Sequence, residues 1–315
     1  GSVFRVVPTE ENRNRPNNRQ PPMKTPLDAV LIAPQPLAEW SRARWLPLAK
    51  QVGAGHFVEA ALNPTRKPKP RVRAIEILTE IFGGLDADTA TKLATDGSAD
   101  VRARTAWAIS RFPKKNAARL LARLAGDPED YVRIKALEAM LRLLPNNPKQ
   151  SAKWLKALQQ NFNRPSIRVR LISARLASRM PEASWQKLDR SSLLTQGQVT
   201  AATAAIWRKP ETEIHAEAIQ QLLPVIDINQ AASLNLDLVR TIILALGDYN
   251  LERPSRESFT GYEVPYSLAA HPGLAKAIAT QVAPLMDSLH QDLHREATRL
   301  LAMVKAEQPR LIGDL

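Results

Sequence analysis

One short pattern recurs along the chain and limits what it can fold into. PRVRAIEIL, ADVRARTAWAI, DYVRIKALEAM, IRVRLISARLA, DLVRTIILAL and DLHREATRLLAM each open on an aliphatic residue next to a basic one and continue with small and apolar residues at helical spacing. The aligned aliphatic positions are Val72, Val101, Val132, Val169, Val239 and Leu293, at gaps of 29, 31, 37, 70 and 54 residues. QVTAATAAIWR, with Val199, reads as a degenerate member that divides the longest gap. A period of roughly 30 to 40 residues is that of stacked helical hairpins.

Second amphipathic segments fall between these motifs, among them DADTATKLATD, KNAARLLARLA and TEIHAEAIQQLLPVI. Each hairpin would leave an apolar stripe uncovered if alone, so neighbours must stack into a continuous core. Pro and Gly sit between the helical segments, in GDPED, NRPS and PNNPKQ, where they interrupt no hydrogen-bond ladder. The expected fold class is all-α, an α-solenoid of helical hairpins over residues 28–315 with a long insert at 248–273. Residues 1–27 are expected to be a short strand, Gly1 to Val7, followed by a Pro-rich polar linker.

The 315 residues contain no Cys, which excludes disulfides, thiolate metal sites, CxxCH haem attachment and a Cys nucleophile. No apolar run approaches the roughly 20 residues of a membrane span. Net charge is +13, unevenly placed. Residues 1–181 hold 32 Lys and Arg against 15 Asp and Glu, whereas residues 182–315 hold 12 against 16. Between Ala139 and Pro181 there are nine bases and no acid. That asymmetry points to an acidic protein partner or, as the alternative, a nucleic acid.

The repeated motifs resemble HEAT repeats. In that family an Asp six residues before the Arg belongs to a ladder along the stack, and Asp96 with Arg102 and Asp127 with Arg133 keep the spacing. Two repeats depart from it, because Lys67 precedes Arg73 and Arg164 precedes Arg170 at that distance. A second cation in place of an acid makes Lys67, Arg71, Arg73, Arg164, Arg168 and Arg170 candidate partner-binding residues. The resemblance covers about residues 66–303. GSVFRVVP with the linker after it, VRTIILALGDY and GYEVPYS also resemble the junction and end of a HEAT segment in large bacterial membrane-bound dehydrogenase and c-type cytochrome fusion proteins. That resemblance implies a non-catalytic scaffold with redox modules as partners, outside the cytoplasm; a nucleic-acid binder would be cytoplasmic.

Other motifs carry less. Trp107, near Asp100 and Arg104, offers the residue types of the HEAT-like DNA glycosylases, but its spacing with Val101 and Thr105 is that of a core or inter-repeat residue. His290 and His294 stand one helical turn apart without a third ligand. Gly83 and Gly84 lack the context of a phosphate loop, and no G-x-S-x-G elbow is present. No catalytic, cofactor-binding or metal-binding residue is assigned. Tyr262 and Tyr266, in the long insert, are candidates for partner binding or for a lid on the neighbouring repeat.

Overall fold

The computed structural model describes residues 25–146, 148–209, 213–248 and 261–306, so the expected N-terminal strand and most of the linker lie outside the described residues. Those residues divide into two compact units between Phe112 and Pro113. Every regular element among them is a helix.

The first unit contains α1 (Pro26–Leu31), α2 (Glu39–Val52), α3 (Ala54–Leu62), α4 (Pro68–Ile81), α5 (Ala87–Leu93) and α6 (Ala99–Arg111). Two of these helices, α1 and α5, start on a side-chain cap. Thr25 accepts the Asp28 amide at 3.1 Å ahead of Pro26, and Asp86 accepts the amides of Asp88 and Thr89 at 3.0 and 2.8 Å. Hydrogen bonds from Thr89, its hydroxyl first and then its amide, hold the Asp86 carboxyl below the usual range. Hairpins α3–α4 and α5–α6 pack side by side, and α4 and α6 adjoin through Ile75, Leu78, Val101 and Ala106, all essentially inaccessible.

The second unit contains α7 (Ala117–Leu124), α8 (Asp130–Leu143), α9 (Leu155–Phe162), α10 (Ile167–Arg179), α11 (Glu182–Trp185), α12 (Thr195–Ile206), α13 (Ala216–Leu222), α14 (Ala232–Ala245), α15 (Leu274–Val282) and α16 (Gln291–Met303). The motif-bearing helices α8, α10, α12, α14 and α16 lie each against the next as one layer, and α7, α9, α13 and α15 back them as the other. The segment with Val199 is therefore a true member of the motif layer. It is rich in small residues, and at Gly197 its neighbours leave no room. A Cβ at Gly197 would collide with the Asn163 amide oxygen.

The part of the long insert inside the described residues folds back as a cover. Gly247 has φ +98°, and a Cβ there would strike the Tyr266 ring. Tyr266 packs against the core formed by Val239, Ile242, Ile278 and Leu300.

Candidate functional site

Three of the motif arginines, Arg102, Arg133 and Arg170, serve main-chain carbonyls first, whereas Arg240 is exposed. Arg102 donates to the main-chain carbonyls of Asp96 (2.8 Å) and Gly97 (3.2 Å), six and five residues back. Arg170 does the same to Arg164 (2.9 Å) and Pro165 (2.8 Å). Arg133 donates to the carbonyls of Asp127, Gly126 and Ala125 and, at 3.0 Å, to the Asn161 amide oxygen. Each guanidinium thus fills carbonyls exposed where the preceding helix ends, and five fixed donors suit it to that task. Burial, reinforced by the Arg164 charge, lowers the Arg133 pKa.

The Asp96 carboxylate links its own turn to the preceding repeat. Asp96 caps its turn by accepting the Ser98 amide at 2.9 Å, and its two oxygens receive both terminal nitrogens of Arg71, from the preceding hairpin. The Asp127 carboxylate accepts the Glu129 amide at 3.0 Å, while the main-chain oxygen of Asp127 serves Arg133.

Of the candidate partner-binding residues, Arg71, Arg73 and Arg170 are only 4%, 5% and 6% exposed, which removes them from the surface. Arg71 is held by the Ala61 carbonyl and Asp96. Arg73 lies 4.5 Å from the Trp45 ring centre and bonds Glu76 at 3.2 Å. Arg170 reaches the Asp237 carboxylate on α14. Arg164 bonds Asp130 at 2.8 Å, so the extra cation where an Asp was expected is balanced by an acid of the neighbouring helix. Lys67 and Arg168 are exposed. Tyr262 is 64% exposed, whereas Tyr266 is the lid of the two readings.

Trp107 departs from the core expectation. It is half-buried, with Arg104 and Arg111 at 5.0 and 3.9 Å from its ring, one turn to either side on α6. His290 caps α16 by accepting the Leu293 amide, and His294 donates to the Met286 carbonyl at 2.7 Å. No group of three potential metal-ligating side chains occurs among the described residues. Nor is any helix among them long and apolar enough to cross a membrane.

One surface in the second unit is free. On α10 the outward positions are Arg168, Leu171, Arg175 and Arg179, with Ile167 beside them. Ile167 and Leu171 are each 45% exposed, and among the described residues none of these three arginines forms an ion pair. Arg175 lies 5.7 Å from the Trp207 ring, and the adjacent α8 adds exposed Tyr131 and Arg142. Sequence reasoning grouped Arg168 with Arg164 and Arg170, although a spacing of 3, 4 and 4 residues to Leu171, Arg175 and Arg179 marks one helical face.

No curated protein matches the chain. A crystal structure of an engineered protein is similar at 13% identity over 80% of this chain and 96% of that one, with a TM-score of 0.32, too loose a likeness to bear on fold or function. Residues 87–179 match the family model described as HEAT repeats, and they correspond to α5 through α10, the stretch in which the carbonyl-filling arginines follow one another most regularly.

Proposed function

We propose that this chain is a non-catalytic protein-interaction scaffold whose α10 face receives an acidic protein surface with an apolar centre. HEAT repeats generally serve as scaffolds for protein partners, and stacked hairpins offer long surfaces for that purpose. The observation that carries the reading is the α10 face, where three unpaired arginines surround two exposed aliphatic side chains. Exposed Ile and Leu gain by desolvation against apolar groups, and Arg is enriched where protein interfaces form. A phosphate backbone would satisfy the arginines and leave Ile167 and Leu171 with nothing to pack on. The resemblance to bacterial dehydrogenase and cytochrome fusion proteins supports redox modules as the partners and a place outside the cytoplasm.

The test places a photo-crosslinking residue at Leu171 in the protein's native cell. The expected product is a protein adduct that maps to an acidic segment of its partner and disappears with Arg168→Glu, Arg175→Glu and Arg179→Glu combined. These positions are exposed, so the triple variant should keep the wild-type helical content. An adduct that persists in the triple variant, or none at Leu171 when Tyr262 gives one, would move the interface elsewhere.

A further inference from the structure

A second feature of the later unit concerns a cleft of about 340 Å³ between α11, the end of α12 and the start of α13. His215 lines it. The residue is 6% exposed, and among the described residues its ring has no hydrogen-bond partner, although its main-chain N–H donates to the Ala245 carbonyl at 2.9 Å. The ring nitrogens are not enclosed by protein, so the imidazole opens onto the cleft with its hydrogen-bonding capacity available to water or a ligand. Burial pushes this imidazole toward its neutral form, Lys209 acts in the same direction, and Glu213 opposes them. Neutral imidazole offers one donor and one acceptor.

The charges around His215 are mostly committed. Arg208 donates to the carbonyls of Ala177 (3.0 Å) and Met180 (2.8 Å) and to Glu182 (2.6 Å), and Lys209 bonds Glu217 at 3.2 Å. Arg190 is different. It lies 5.0 Å from the Trp185 ring and forms no ion pair among the described residues. The cleft therefore holds one exposed guanidinium, near Glu182 but without a hydrogen-bonded acid, and one neutral imidazole, with Glu182 and Glu217 among its lining. With Arg208 and Lys209 paired to Glu182 and Glu217, the one positive charge left over is that of Arg190, which a monoanion balances and a dianion exceeds. A planar guanidinium matches a carboxylate in a two-bond geometry, and the volume admits a small organic group.

We propose that the cleft binds a carboxylate, held by Arg190 and hydrogen-bonded by His215, carried either by a free small acid or by a Glu or Asp side chain of a peptide. The site meets α10 only through Arg208, which bonds main-chain carbonyls at the C-terminal end of that helix, and uses none of its outward side chains.

With only five His in the chain, the ring signals can be resolved by carbon–proton correlation NMR, and the His215 signal assigned by its loss in His215→Gln. The probes are N-acetylglutamate amide and the blocked tripeptide acetyl-Ala-Glu-Ala-amide, with chloride at equal ionic strength and inorganic phosphate as controls. The expected result is a saturable shift of the His215 signal with one or both carboxylates, weakened about tenfold or more in Arg190→Ala, as loss of a charge-assisted bond requires. Tighter binding of the tripeptide would assign the carboxylate to a protein partner, and tighter binding of the amino-acid derivative to a free ligand. The proposal is overturned if neither carboxylate gives a saturable shift, if phosphate binds more tightly, or if Arg190→Ala binds as the wild type does. The triple α10 variant should bind both probes unchanged, which keeps this outcome separate from that of the scaffold reading.

Discussion

Asp237 lies 67 residues beyond Arg170, and their side chains meet across α12, a helix rich in Ala and Thr. Burial raises the Asp237 carboxyl pKa, and the charges of Arg170 and Arg240 pull it back without cancelling the effect. The acid therefore stands in a costly place for the sake of a cation that is itself 6% exposed. Breaking a fully buried pair from one side costs about 3 to 5 kcal/mol. Because the Asp237 side chain is 24% exposed and Arg170 keeps two carbonyls, Asp237→Ala should lose about 2 kcal/mol, read from urea unfolding. Replacing both partners, Arg170→Met with Asp237→Leu, should recover only part of that loss, because the carbonyls of Arg164 and Pro165 then lose their donor. An unchanged midpoint in Asp237→Ala would mean that the carbonyls of Arg164 and Pro165 alone hold Arg170. The sequence displayed half of this arrangement, since Arg164 stands where an Asp was expected. The compensating acid was not legible, because nothing in one repeat says which later helix will come near it.

At the scale of elements, the motif helices were readable because an apolar stripe every 3 to 4 residues has few alternatives to burial. Register was harder. Alignment put Val72 with Val101 and Arg73 with Arg102, yet in α4 Val72 is half-exposed and Arg71 reaches Asp96. A shift of one residue turns a side chain by about 100°, and the motif match alone did not fix it. The same helix begins poorly. Lys67 is its N-cap residue and offers no side-chain acceptor, its first turn contains no acid, and Lys69 adds a cation at the positive end of the helix. Lys67→Asp should therefore stabilise the protein by about 0.5 to 1 kcal/mol through a cap and a favourable charge. Differential scanning calorimetry should show a higher melting temperature. A lower one would mean that Lys67 makes a contact worth more than the cap.

For the molecule as a whole, the question is where the positive charge of the first 181 residues can act. Ion pairing leaves net charge unchanged, so what matters is which bases share a surface. In the second unit, exposed Arg119, Arg123, Lys153 and Lys156 belong to the layer of α7 and α9 or the turn before it, while Arg142, Arg168, Arg175 and Arg179 belong to the layer of α8 and α10. A rigid duplex lying on one layer would meet about half of them. Such a distribution supports nonspecific attraction at low salt and no sequence-reading surface. The expected result is weak DNA binding near 50 mM salt that vanishes by about 200 mM, with a salt slope nearly the same after Arg168→Gln, Arg175→Gln and Arg179→Gln. Each phosphate contact contributes about 0.9 to that slope. A loss of about 2.7 in the triple variant would place all three α10 arginines on phosphates. That outcome would make the α10 face a nucleic-acid surface, in which Ile167 and Leu171 stay exposed, and would sink the protein-scaffold reading of it.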